Sequence, residues 1–244
     1  MNTVVIVGSS LAGLRAAETL RLEKYEGRII IVGAEDRQPY DRPPLSKKVL
    51  SGEWEADRIS LRKPDDLAKL NIDWKLGSAA TALDTTNHTI TLTSGETIAF
   101  DGLIIATGSG VRKLPNQPDW NGVHVVRTLD DSLALRAELN PGARVVVIGA
   151  GFIGLEVAAT AKARGCEVTV LEGAPAPMMR GLGADMGHAA ALVHADNGVT
   201  MRFNVKVAGL AEGNGGSVGG VALDDGEIVH ADVVVVGIGV VPAT

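Results

Sequence analysis

An α/β fold of two similar units in tandem is what this sequence predicts, and three observations carry the prediction. Val145 to Ile148 is a short β-branched run of the kind that fills a strand buried on both faces. It leads into Gly149-Ala150-Gly151-Phe152-Ile153-Gly154 and then a helical stretch from Leu155 to Ala163. The opening of the chain repeats this pattern, with Val4 to Val7 followed by Gly8-Ser9-Ser10-Leu11-Ala12-Gly13. Finally, Gly95 and Gly226, Asp101 and Asp232, and Gly108 and Gly239 are each separated by the same 131 positions, which marks an internal duplication. Each unit is therefore expected to be a Rossmann-like, three-layer ββα, dinucleotide-binding domain.

Composition narrows the function. Aromatic residues are only 3%, which suits parallel sheets filled with Val, Ile, Leu and Ala. The net charge of −6 leaves no sequence-wide basic field to attract nucleic acid. The single cysteine, Cys166, excludes an intramolecular disulfide framework and fits a reducing cytoplasm. No basic region precedes the first apolar run, so no signal peptide is expected. The apolar runs near Val145 and Val233 end after about eleven residues, well short of a membrane span. A soluble, cytoplasmic protein is expected.

In chain order, the helix after Gly13 should reach about Leu22, and Ile29 to Val32 forms the next strand, with Glu35 placed 22 residues after Gly13. Ser10 replaces the second glycine of the motif; its side chain narrows the backbone approach while its hydroxyl offers a donor to phosphate. The stretch Pro39-Tyr40-Asp41-Arg42-Pro43-Pro44-Leu45-Ser46-Lys47-Lys48 has prolines that fix an extended approach, with Ser46 or a neighbour capping a short helix to Leu50. It reads either as a rigid surface turn with solvated bases or as Arg42 or Lys47 set beside phosphate or a redox ring. Spacing does not choose between these. Asp57 to Leu70 mixes charges as a solvated face does.

Val111 to Gly122 is the expected linker, and Asp130 to Leu139 an amphipathic helix. In the second unit each glycine has a mechanical task. Gly149 makes the tight turn, Gly151 lets backbone approach a pyrophosphate, and Gly154 lets the helix sit close to its strand. The helix N-terminus offers N–H groups to the phosphates. Val168 to Leu171 is the following strand, and Glu172 lies 18 residues past Gly154, near the spacing of a carboxylate on a ribose 2′-hydroxyl. Glu212 to Gly220 is expected to be a loose hairpin loop. Two dinucleotide folds suggest two nucleotides whose redox rings meet to pass a hydride.

With these residues assembled, the chain resembles the FAD-dependent pyridine-nucleotide oxidoreductases. Within them it is similar to the NADH-dependent ferredoxin and rubredoxin reductases of oxygenase systems. Pro39-Tyr40 through Arg42-Pro43-Pro44-Leu45-Ser46-Lys47 is the specific marker. Ala106-Thr107-Gly108, Arg127-Thr128-Leu129-Asp130, Gly149 to Glu156 and Gly237-Ile238-Gly239 support it. The resemblance implies FAD and NADH as cofactors, no metal, and an iron–sulfur partner, ferredoxin or rubredoxin. It implies a first FAD segment over residues 1–110, an NAD(H) domain over 111–236, and a return segment from 237 to 244.

By the same resemblance, Gly8, Ser10, Ala12 and Gly13 would cradle the FAD pyrophosphate and Glu35 its ribose. Arg42 and Lys47 would lie along FAD, Lys47 near the flavin; Ala80 would touch the adenine side, and Thr107, Gly108 and Arg127 would border the flavin. Gly149, Gly151, Ile153 and Gly154 would hold NADH, Glu172 its adenosine ribose, and Ile238 and Gly239 its nicotinamide. Glu156 would face Lys47 across the nicotinamide–flavin junction, keeping the ammonium charged beside a reduced flavin. Lys47 and Glu156 are thus the candidate catalytic pair.

Disulfide reductases of this superfamily carry a paired-cysteine motif that is missing here. Electrons are therefore expected to leave the flavin singly, and Cys166 to be a small buried hydrophobe. Family members continue well beyond the position of Thr244, so a truncated chain is expected. The alternative to a reductase is a catalytically incompetent fragment that binds NADH without turnover.

Overall fold

A computed structural model describes residues 2–244. The first part of the chain runs β1 (Thr3–Val7), α1 (Leu11–Leu22), β2 (Arg28–Val32), α2 (Lys48–Ser51), α3 (Pro64–Ala68), β3 (Ile72–Lys75), β4 (Ala80–Asp84), β5 (Thr89–Leu92), β6 (Thr97–Ala99) and β7 (Gly102–Ile105). It continues with β8 (Ser109–Val111), β9 (Val123–His124), α4 (Leu129–Glu138), β10 (Arg144–Ile148), α5 (Phe152–Ala163) and β11 (Glu167–Leu171). Then follow α6 (Met179–Asp196), β12 (Thr200–Arg202), β13 (Val207–Glu212), β14 (Val218–Leu223), β15 (Ile228–His230), β16 (Val233–Val236) and β17 (Val240–Pro242). Two compact units result. One holds the chain up to Asp41, Asp57–Ser109 and Pro242–Thr244; the other holds Arg42–Ala56 and Gly110–Val241.

In the first unit a parallel sheet has strand order β3-β2-β1-β7, and β4-β5-β6 form an antiparallel meander. Period-two alternation sorts the β-branched side chains between two faces. Val5, Val7, Ile30 and Val32 meet Ile90, Leu92 and Ile98 of the meander. Val4, Ile6, Ile29 and Ile31 meet Ala17 of α1 on the other side. The three expected layers follow directly from that sorting.

The second unit repeats the plan. Its parallel sheet has order β12-β11-β10-β16-β9, and β13-β14-β15 form the meander. Val146, Ile148, Leu171, Val234 and Val236 pack on Val218, Val221 and Leu223 of β14, while α5 covers the opposite face of β10 and β11.

The repeated landmarks have physical causes. Asp101 Oδ2 accepts the Thr3 N–H at 2.8 Å, and Asp232 Oδ2 accepts the Arg144 N–H at 2.9 Å, so each aspartate ties down the start of its unit's central strand. Backbone donors hold the Asp101 carboxyl below the usual aspartate range, and the Arg144 guanidinium does the same for Asp232. Gly95 and Gly226 turn the hairpins with φ of +85° and +89°. At the ends of the third and twelfth strands, Lys75 pairs with Glu96 at 2.8 Å and Arg202 with Glu227 at 2.5 Å.

Two expected boundaries shift. Helix α5 begins at Phe152 rather than Leu155, because the last residues of the glycine motif already form its first turn. The stretch read as a loop from Glu212 to Gly220 is open only between Glu212 and Val218. Gly219 and Gly220 lie inside β14, where close strand approach demands glycine: a Cβ on Gly220 would fall 2.6 Å from the Val229 carbonyl oxygen. No helix among the described residues is long and apolar enough to cross a membrane.

Candidate functional site: a glycine-loop cleft and a lysine–glutamate pair

The second unit contains a cleft of about 860 Å³ at the C-terminal ends of β10, β11 and β16. That is where open parallel sheets bind nucleotides. Five of the residues expected to hold NADH line it: Gly149, Gly151, Glu172, Ile238 and Gly239. Ile153 and Gly154 lie just inside α5, Ile153 exposed and Gly154 buried.

The three motif glycines separate by cause. Gly149 has φ of +100°, and a Cβ there would stand 2.5 Å from the Gly237 carbonyl oxygen. A Cβ on Gly154 would stand 2.1 Å from the Gly149 carbonyl oxygen. Both are glycines because the chain itself leaves no room. Gly151 is different: its φ is −77° and a Cβ would meet nothing within 4 Å. It opens on empty space beside the start of α5, which no side chain caps. That open side, next to the first N–H groups of the helix, which have no intrahelical acceptor, fits a pyrophosphate.

Glu172 closes one wall. Its Oε2 accepts the Ala150 N–H at 2.7 Å and its Oε1 the Ala174 N–H at 2.9 Å. The carboxylate thus pins the glycine loop to the loop after β11, and its remaining lone pairs can receive hydroxyl donors. Met178, Met179 and Arg180 also line the cleft, although no sequence signal points to them. Glycines at 181, 183 and 187 hide the helix there, and Gly183, with φ of +77°, kinks it.

In the first unit, Gly8 has φ of +124°, and a Cβ would fall 2.1 Å from the Ala106 carbonyl oxygen and 3.2 Å from the Thr107 nitrogen. Gly13 lies against Gly8, its Cβ position 1.8 Å from the Gly8 carbonyl oxygen. Gly8, Gly13 and Thr107-Gly108 are therefore gathered at the C-terminal ends of β1 and β7. Ser10 is the N-cap of α1 but forms no capping bond with its side chain, and Ala12 is exposed in the first turn. The Glu35 carboxylate accepts the hydroxyl of the buried Tyr40. Ala80 begins β4. This cradle carries a side chain at Ser10 where the second unit has open space at Gly151, yet it keeps the same strand–turn–helix geometry for an anion.

The Pro43-Pro44 segment is only in part the surface turn of one reading: Pro43, Lys47 and Lys48 are exposed, but the residues that anchor the segment are not. Pro44, Leu45, Ser46, Val49 and Leu50 are buried in the second unit. Arg42 Nη1 donates to the Arg127 carbonyl at 2.5 Å, bringing those two residues together. Lys47 Nζ lies 2.7 Å from Glu156 Oε2, so the pair expected from the resemblance meets within this unit. Contrary to the expectation that Ser46 or a neighbour caps α2, the N-cap position is Lys47 and no side chain caps it, so Ser46 is free of that task. Its hydroxyl goes instead to Glu156, because it is turned toward α5.

Cys166 is 1% exposed, and burial pushes its thiol pKa up. It behaves as a small core hydrophobe.

Comparison with known proteins gives a consistent set. A family model described as pyridine nucleotide-disulphide oxidoreductase matches residues 2–244. Rhodocoxin reductase of Rhodococcus erythropolis is 40% identical over 98% of this chain and 56% of its own length. The biphenyl dioxygenase system ferredoxin–NAD(+) reductase component of Paraburkholderia xenovorans (strain LB400) is 40% identical over 100% of this chain and 59% of its own. The crystal structure of the covalent putidaredoxin reductase–putidaredoxin complex aligns with a TM-score of 0.94 at 36% identity, covering 99% of this chain and 59% of that one. The chain thus spans less than two thirds of the length of these relatives.

Proposed function

The chain belongs to the pyridine nucleotide-disulphide oxidoreductase family, and from that premise we propose that it works as an FAD-dependent NADH:ferredoxin (or rubredoxin) oxidoreductase of the cytoplasm. The observation that carries this reading is Gly151, a glycine that no neighbouring atom requires, at the mouth of a nucleotide-sized cleft. We assign the NADH pyrophosphate to its open side and to the α5 N-terminus, with Gly149, Ile153 and Gly154 shaping the loop. Glu172 takes the adenosine ribose, and its charge repels a 2′-phosphate, so NADH is preferred to NADPH. Ile238 and Gly239 take the nicotinamide end.

For FAD, the assignment is Gly8, Ser10, Ala12 and Gly13 to the pyrophosphate, Glu35 to the ribose and Ala80 to the adenine side. Thr107, Gly108, Arg127, Arg42 and Lys47 take the flavin end. FAD, when bound, supplies a ring that accepts a hydride from NADH and releases its electrons singly. The chain's own contribution is orientation and charge: Glu156 holds the Lys47 ammonium, and Lys47 presents that charge to the flavin. Residues 2–244 contain a single, buried cysteine and hence no dithiol. A one-electron iron–sulfur acceptor is the partner that fits, in line with relatives named for ferredoxin.

Gel filtration tests the assignment. Flavin absorbance that travels with the protein supports it. A colourless protein that still binds NADH supports the alternative of a nucleotide-binding fragment without turnover.

A further inference from the structure

The turn Pro43–Ser46 ends in a hydroxyl that the proposed function leaves without a role. Ser46 is 4% exposed, and its Oγ donates to Glu156 Oε2 at 2.6 Å. That is the same oxygen that Lys47 Nζ reaches at 2.7 Å. One carboxylate oxygen therefore has two donors on adjacent residues, and the two differ in kind.

The Ser46 donor is neutral and buried, and its backbone is held from several sides. Pro43 and Pro44 restrict φ. The Leu45 carbonyl accepts the buried Ser132 hydroxyl at 2.6 Å, and the Ser46 carbonyl accepts Thr160 Oγ1 at 2.8 Å. Glu156 and Thr160 are one turn apart on α5, so that helix grips Ser46 at two points on one face. The Lys47 donor, by contrast, is charged, sits on a flexible four-carbon stem, and has a side chain 45% exposed.

An exposed lysine–glutamate pair left to itself gains little, because ordering two long side chains costs about what their attraction returns. Here the buried hydroxyl has already settled where the carboxylate oxygen stands. The ammonium finds a fixed acceptor, spends one of its three N–H groups on it, and keeps the others for a further acceptor.

From these contacts we infer that Ser46 is a positioning residue: its hydroxyl fixes Glu156 and, through Glu156, the direction of the Lys47 ammonium. The consequence for flavin reduction rests on the function proposed above. The placement of the ammonium is a property of the folded chain alone.

Competitive labelling of the folded protein with limiting acetic anhydride, read by mass spectrometry, measures that placement, with the other lysines as internal references. Ser46→Ala is expected to raise Lys47 acetylation about threefold, part of the way to the level of Glu156→Gln, which also removes the charge. Ser46→Cys keeps the volume but offers only a weak donor, and is expected to match Ser46→Ala. In the FAD-loaded protein, Ser46→Ala is expected to slow flavin reduction by NADH about tenfold while the NADH Kd stays within about twofold. Equal Lys47 labelling in wild type and Ser46→Ala overturns the inference, as does a Ser46→Cys protein that labels like wild type. Failure of the redox function itself shows differently: wild-type flavin is not reduced at all, while the labelling pattern persists.

Discussion

Gly154 lies over the carbonyl of Gly149, and a Cβ added to it would fall 2.1 Å from that oxygen. Gly151, in the same motif, would place a Cβ in open space. The pair separates folding from binding. Gly154→Ala is expected to destabilise the protein by about 1–3 kcal/mol through overpacking, read by urea unfolding. Gly151→Ala is expected to fold with a stability within about 0.5 kcal/mol of wild type and to weaken NADH at least about tenfold, read by calorimetric titration. A Gly151→Ala protein that binds NADH normally would mean that the pyrophosphate lies elsewhere.

Glu172 does two things with one carboxylate. Wild type is expected to bind NADH about tenfold or more tighter than NADPH, and Glu172→Gln to narrow that ratio by removing the charge. Gln replaces one acceptor by a donor, so either the Ala150 or the Ala174 N–H loses its partner, at a cost of about 1–2 kcal/mol. Dissociation constants for both nucleotides check the first expectation, and thermal unfolding the second. Equal affinity for the two nucleotides in wild type would remove Glu172 from the ribose.

Acid stability should depend on Asp232. Its folded pKa is lowered by Arg144, so its contribution is complete above the ordinary aspartate range and is lost as pH falls through the lowered value. Asp232→Asn is expected to cost about 1 kcal/mol at neutral pH, after discounting for the half-exposed side chains, and nothing below that lowered value. Urea midpoints across this range measure it. A cost independent of pH would show that the charge contributes nothing.

The Cys166 thiol should stay silent in the native state. It is buried and its pKa is raised by burial, so Ellman's reagent is expected to react only as the chain unfolds. Rapid reaction of one equivalent with native protein would contradict that burial.

Much of this architecture was legible because its signals are local. Val4–Val7 and Val145–Ile148 announce buried strands by β-branching, and Gly8 and Gly149 mark turns with φ above +100° or equal to it. The spacing of Asp101 and Asp232 reported the duplication, although their part in anchoring a neighbouring strand needed the coordinates. Other features depend on residues far apart in the chain. Ser46 reads, along with its neighbours, as a candidate helix cap, since serine favours that position. Its true acceptor, Glu156, is 110 residues away and no spacing rule reaches it. Helix α6 was obscured by glycines that have separate causes. Gly187, for instance, is buried where a Cβ would fall 2.4 Å from the Pro177 carbonyl oxygen.

Hydride transfer itself is open to direct measurement. The protein, loaded with FAD and kept anaerobic, is mixed with one equivalent of NADH, and the visible absorbance of oxidised flavin is followed. The expected result is its loss, followed by reduction of an added ferredoxin. Flavin that stays oxidised while both nucleotides are demonstrably bound would contradict the redox assignment.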